Sequence, residues 1–198
     1  MRRVMIAVFV SMLLVSVSAP VLAEGVVVQM LGLSSFEGDL GSVNSTYGTN
    51  LDPAVTGNFG DYACFEMPLL NTTSNKQIGF GIDCLRFEDG TAPIVGAEFH
   101  VTAVSFFVLP GGVLVNMGTT TIQPFVPGFG DAGGTLTHVT GSVPTPGTTN
   151  TFIAGTGRFQ NRIGTARVSG AVDVTGVAAG TSTPSFDCLW KIDLLPNS

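Results

Sequence analysis

Residues 162–174 alternate. Gly164, Ala166, Val168, Gly170, Val172 and Val174 fall on one side, and Thr165, Arg167, Ser169 and Asp173 on the other. A period of two predicts a half-buried β-strand. The small residues on its apolar side suit a curved sheet whose backbones approach closely. A shorter apolar run, 151–154, precedes it, and Gly155-Thr156-Gly157 separates the two. A Gly-x-Gly can cradle a phosphate when a helix begins just beyond it. No helix-competent stretch follows here, so the glycines read as a β-turn.

The same pattern recurs from residue 60 onward. Strands are predicted over 61–70 and 77–87, joined by the polar turn 71–76, and over 97–109 after a turn at 88–93. In 97–109 one face carries Phe99, Val101, Ala103, Phe107 and Leu109. The other begins with Glu98, His100 and Thr102 but ends in Val104, Phe106 and Val108, so the far half is apolar on both sides. Pro110-Gly111-Gly112 turns the chain into 113–122, and a Pro/Gly/Phe loop over 124–134 leads to 136–143, with 185–194 closing the series. With an opening run at 26–33, this makes about nine strands at hairpin spacing, which predicts an antiparallel barrel or sandwich. Closing the sheet into a barrel would remove its exposed edges. Residues 34–58 show no period and are expected to be a loop. No amphipathic helix with a capping signal is expected after residue 23.

The first 23 residues change the picture of location. Arg2 and Arg3 precede an apolar run from Val4 to Val17, and Ser18-Ala19-Pro20-Val21-Leu22-Ala23 follows. A basic start, an apolar run too short to span a bilayer and a small-residue ending predict a signal peptide cut after Ala23. Three segments result: a signal peptide at 1–23, a strand and flexible loop at 24–58, and a barrel at 59–198. With Arg2 and Arg3 gone, six basic residues face fourteen acidic ones, and the formal charge moves from −6 to −8. An acidic chain without a basic stripe argues against nucleic acid and, after cleavage, against anionic membranes as partners. Charged residues make up only 11% and hydrophobic residues 44%, with 26 glycines, which fits a chain of short strands and many turns. Asn44 and Asn71 begin Asn-x-Ser/Thr sequons, which matter only where exported proteins are glycosylated.

Export permits a disulfide, and three cysteines allow one internal bridge. Residues paired across a hairpin have numbers of constant sum, and the turn 71–76 centres on Ser74. Cys64 and Cys84 then stand opposite each other on one face, close enough to bridge, which leaves Cys188 free. A bulge would shift this register and let Cys188 pair with either. His100 and His138 lie on different strands without a partner at metal-ligand spacing. Glu98 and His100 share a face, either as a proton-transfer pair or as part of a solvated surface. No Gly-x-Ser-x-Gly elbow is present. Phe106, Phe107, Phe125 and Phe129 either wall a ligand pocket or fill a core.

Phe59-Gly60-Asp61, then Phe65-Glu66-x-Pro68-Leu69 and Ile78-Gly79, resemble the opening strands of dirigent proteins. Thr135-Leu136-Thr137-x-Val139-x-Gly141-Ser142-Val143-Pro144, then Gly155-Thr156-Gly157-Arg158-Phe159 and Gly164, are similar to that family's later strands. Gly60-Asp61, Phe65 and the Gly-Thr-Gly stretch also resemble allene oxide cyclases. The likeness runs from about Asn58 to Leu194. It implies an eight-stranded antiparallel β-barrel of the dirigent/allene oxide cyclase type, often a trimer, with an apolar lumen and no cofactor. It also implies one of two activities, cyclising a lipid epoxide or coupling phenoxy radicals with one handedness. The chain departs from both patterns: Met67 follows Glu66 where dirigent proteins tend to have a second acid and the cyclases an Asn. Ile163 precedes Gly164 where plant dirigents commonly place Arg. A group of exported bacterial barrels with a similar cysteine and Gly-Thr-Gly-Arg-Phe layout is the nearer analogy.

Three functions follow as expectations: a barrel that binds or cyclises an apolar small molecule, a carrier using the same cavity, and a structural barrel packed throughout. Glu66 is the expected catalytic group, with Phe65, Tyr62, Phe106 and Phe107 as ligand-binding residues. Tyr62, Cys64 and Glu66 share one face of their strand, and Asp61, Ala63 and Phe65 the other. If the Glu66 face is the lumen, desolvation raises its pKa and makes it a proton donor or acceptor near neutral pH. If that face is outside, Glu66 is one more surface charge. Alternation leaves both open. A homotrimer would use an apolar exterior on 164–174.

Overall fold

The alternating runs form strands in the structure, a computed structural model that describes residues 24–88, 97–124, 136–143, 149–178, 180 and 183–195. The expected signal segment, Phe125 and Phe129 lie outside the described residues. The strands are β1 (Glu24–Leu33), β2 (Ser35–Gly38), β3 (Ala63–Asn71), β4 (Lys76–Phe87), β5 (Phe99–Leu109), β6 (Gly112–Pro124), β7 (Leu136–Val143), β8 (Phe152–Gly155), β9 (Gly164–Asp173) and β10 (Ser185–Leu194). Among the described residues, three short helices accompany them: α1 (Leu40–Tyr47), α2 (Pro53–Thr56) and α3 (Thr175–Ala178).

The sheet runs β1-β10-β9-β7-β6-β5-β4-β3 and closes where β1 meets β3, with Val28 opposite Asn71 and Met30 opposite Leu69. The result is a closed, eight-stranded antiparallel barrel. The two extra strands complete positions their neighbours leave. β2 continues beside β3, Ser35 facing Glu66, after β1 has ended. β8 lies against β6 at Leu114–Asn116, below the stretch that β7 covers. Closure pairs every wall strand on both sides, so the barrel needs no charged edge to discourage aggregation.

The apolar side of β9 faces the lumen, where Ala166, Val168 and Val172 are buried with Val28, Met30 and Trp190. Gly170 belongs to this side, and a Cβ there would run into the Asp187–Cys188 backbone of β10. That close approach is what the small residues permit. The expected apolar exterior on 164–174 is therefore absent: Thr165, Arg167, Ser169 and Asp173 point outward, and Arg167 and Ser169 are exposed. Alternation puts the apolar set on one face only, and the lumen takes it.

Residues 34–58 hold more structure than their pattern announces. Asp39 caps α1, its carboxylate accepting from the Ser42 amide at 2.8 Å, and Gly48 ends the helix at φ 59°. Asp52 caps α2 in the same way, with Pro53 in its first turn. A two-turn helix shows its period only through Leu40, Val43 and Tyr47, too few positions to stand out. Leu40, Val43 and Leu51 cover Tyr62, Ile82, Val104 and Phe106 on the outside of β3–β5, forming a second core. This strap explains why the far half of β5 is apolar on both faces.

The Gly-Thr-Gly break is a turn docked on the β5–β6 hairpin. Gly157 has φ 56°, the Arg158 amide donates to the Gly111 carbonyl at 2.9 Å, and the Val113 amide donates to Thr156 Oγ1 at 3.0 Å. No helix N-terminus stands beyond it to hold a phosphate, and a three-residue 3-10 turn, Gly157–Phe159, follows instead.

Candidate functional site: the lumen cavity

The β3–β4 hairpin sets which side chains can meet a ligand. Cys64 stands opposite Cys84, Phe65 opposite Asp83, and Glu66 opposite Ile82. Phe65, Met67, Asp83 and Leu85 point into the barrel, and Cys64, Glu66, Ile82 and Cys84 point out. Cys64 and Cys84 form the disulfide, with sulfurs 2.03 Å apart and Cα atoms 3.9 Å apart, and Cys188 is free and buried.

One end of the barrel is solid. Leu69, Phe107, Leu114, Phe159 and Ile192 fill it, and the Phe107 ring meets the Trp190 ring edge-on at 5.2 Å. Above Trp190 the lumen opens into a cavity of about 320 Å³. Its wall rises past Met30 and Phe65 to Phe87 and Phe99 at the end of β4 and the start of β5, and to Val174 and Phe186 across from them. No Lys, Arg or His is part of that wall among the described residues.

Among the described residues, five polar side chains border the cavity: Asp83, Thr120, Thr137, Cys188 and Trp190. Ser105 Oγ, from the neighbouring β5, donates to Asp83 Oδ1 at 2.6 Å. The Asp83 side chain is half-buried and borders the lumen cavity. Burial pushes its pKa up to about 6, against the lowering effect of the Ser105 bond. Burial also pushes the Cys188 thiol up to about 12, with the nearby charges of Asp83 and Asp187 adding to the rise. That thiol stays protonated and unreactive at physiological pH, and its Sγ lies 3.7 Å from the Ala171 carbonyl it donates to. Thr137 Oγ1 donates to the Val172 carbonyl at 2.9 Å. Thr120 Oγ1 and Trp190 Nε1 are buried with no hydrogen-bond partner. Both atoms are packed below the cavity surface, and such orphans cost roughly 1–3 kcal/mol each.

Outside the wall, the strap organises a different set. Tyr62 Oη donates to the Thr56 carbonyl at 2.6 Å, and the Arg86 guanidinium lies 5.1 Å from the Tyr62 ring centroid. Phe106 packs near Tyr47, with ring centroids 6.4 Å apart. Tyr47 Oη donates to Glu66 Oε2 at 3.4 Å. Partial burial raises the Glu66 pKa, the nearby Glu37 charge adds to it, and the Tyr47 bond opposes both.

Of the two orientations that alternation leaves open for Glu66, the structure adopts the outer one. Tyr62 and Phe106 share that outer side, while Phe65 borders the cavity and Phe107 lies beneath its floor. His100 is exposed, 3.1 Å from Thr121 Oγ1 through Nδ1 and 3.6 Å from Glu98 through Nε2. The lumen carboxyl, Asp83, had a signal in the sequence. It is the lone acid in an apolar run, and the pairing sum that joins Cys64 to Cys84 also sets it opposite Phe65. Trp190 and Thr120 carried no comparable mark. Comparison of the chain with family models, curated proteins and solved structures finds no match to any of them.

Proposed function

We propose that this protein is an exported barrel that binds an apolar small molecule in its lumen. The observation that carries this reading is the cavity of about 320 Å³, apolar over nearly all its wall and interrupted by a few buried polar groups. That is the usual make-up of a small-molecule site, in which apolar area supplies affinity and sparse polar groups fix orientation. A barrel serving only as a packed structural body would fill this space with side chains, as its own lower half does. The resemblance to dirigent proteins and allene oxide cyclases supports the same reading, since both enclose an apolar lumen.

A second reading has the bound molecule turned over rather than carried. Asp83 favours it, because a carboxyl with a pKa of about 6 gives or takes a proton readily near neutral pH. A shaped wall would pre-fold the molecule for cyclisation or one-handed coupling, and Asp83 would take the role that the sequence alone assigns to Glu66.

Titration with a neutral fluorescent probe such as N-phenylnaphthylamine tests the binding reading. Saturable binding, lost when Val139→Trp fills the lumen, is the expected result. A probe that ignores that substitution would show the cavity is not a site. Extraction of the exported protein and mass spectrometry of what is released would identify the natural occupant, and conversion of that molecule by fresh protein separates turnover from carriage. The same material bears on export, for which a mature N-terminus at Glu24 is expected, and sedimentation bears on the homotrimer.

A further inference from the structure

The polar groups of the cavity are unequal in kind, and their inventory narrows what can sit there. Among the described residues Asp83 is the only carboxyl bordering the cavity, with Ser105 bonded to Oδ1. Above its pKa of about 6 it is a pure hydrogen-bond acceptor. Trp190 Nε1 is a donor only, 1% exposed and without a partner. Thr120 Oγ1, 3% exposed and likewise without a partner, can donate or accept. The free cysteine adds a neutral thiol, and no cation faces the cavity among the described residues. A carboxylate or phosphate brought into this space would meet Asp83 with no positive charge to offset it. A plain hydrocarbon would offer the Asp83 carboxylate no donor beside Ser105.

We propose that the lumen selects an uncharged apolar alcohol, whose hydroxyl donates to Asp83. This rests on the binding reading above and adds the chemical class of the ligand. The alcohol's hydroxyl gives the carboxylate a second donor beside Ser105, and the rest of the molecule lies along the aliphatic and aromatic wall. Fatty acids and other carboxylates are rejected by like charge rather than by shape. Protonation of Asp83 lifts that rejection, so selectivity against acids weakens as pH falls toward 6. Of the other groups near Asp83, Cys188 stays neutral across this range. Asp187 contributes charge from the outer side of β10.

The test uses the mature chain, bound N-phenylnaphthylamine as reporter, and displacement by decanol, decyl methyl ether and decanoate at mildly alkaline pH. A hydrogen bond to a charged group contributes about 1.5–3 kcal/mol, so decanol is expected to displace the probe about tenfold or more better than the ether. Decanoate should be weakest. Asp83→Asn, checked for fold by circular dichroism, should abolish the rejection of decanoate and shrink the decanol advantage. Equal displacement by decanol and decanoate in the wild type would overturn the inference while leaving a binding cavity in place. So would an unchanged ranking in Asp83→Asn. Failure of the probe to bind at all would remove the binding reading itself, and this inference with it.

Discussion

The β3–β4 hairpin carries one carboxyl on each face, and the two sit in different physical situations. Asp83 points into the barrel, between an apolar wall and the lumen cavity. Glu66 points out, under the rim of the strap, partly exposed and with the Tyr47 hydroxyl at 3.4 Å. Both pKa values are raised by burial, that of Asp83 to about 6. The difference lies in what the surroundings can exchange. The outer face is closed by Leu40, Val43 and Leu51 packed in solid contact, so nothing further can enter. The inner face is closed only at its lower end. A perturbed carboxyl marks a site where space adjoins it, and mere packing where it does not.

The strap offers the largest way to probe this contrast. Leu40 is fully buried against the outer face, and Leu40→Ala is expected to cost about 2–5 kcal/mol of stability. Urea unfolding measures the loss, and lumen probe affinity in the folded variant should be unchanged. A parallel fall in affinity would mean that the two faces are one unit. The disulfide comes next. Replacing both Cys64 and Cys84 by Ala opens a covalent loop of sequence separation 20, which predicts a loss of about 3 kcal/mol in thermal or urea unfolding. The register it reports, Phe65 opposite Asp83, should survive because the lumen still selects it.

Asp83→Asn should act in the opposite direction. The folded protein holds the Asp83 proton up to about pH 6, whereas the unfolded chain releases it near 3.8. Stability linked to this group is therefore full below 3.8, falls as pH rises through that window and is lost above about 6. At roughly 1.4 kcal/mol per pH unit, ionisation costs the fold about 3 kcal/mol above that window. The Asn variant should be more stable than wild type by that order at neutral pH and indistinguishable from it below 3.8. Matched urea titrations at the two pH extremes read the difference. Glu66→Gln should be the mildest change. Its partial exposure keeps the expected effect within about 0.5 kcal/mol. Probe affinity should stay the same across pH. A clear loss of binding in Glu66→Gln would reverse the assignment of inner and outer carboxyls and return the site to the strap.

Much of this architecture is legible in the residues alone. Alternation in 162–174, 185–194 and the hairpins between them specifies strands, because a period of two has no helical counterpart. The turn near Ser74 brings Cys64 and Cys84 within one residue of facing each other, and a one-residue register shift between Leu69 and Leu70 completes the pairing that the bridge uses. Neither property says which face is the inside. On β3, β4 and β5 both faces are apolar, Phe65, Leu85 and Phe107 on one and Ile82, Val104 and Phe106 on the other. Polarity labels inside and outside only when one face meets water, and here the strap keeps water from the second. That strap is built from an eight-residue helix and a four-residue helix whose positions depend on the wall they cover. Its α1 period is carried by three residues, and its capping residues, Asp39 and Asp52, read equally well as loop polarity. Only the closed barrel with the strap laid on it put Glu66 outside, turned Asp83 inward and left space above Trp190. Those outcomes depend on contacts between segments far apart in the chain, where β1 meets β3 and the strap meets β3–β5, and no local pattern encodes them.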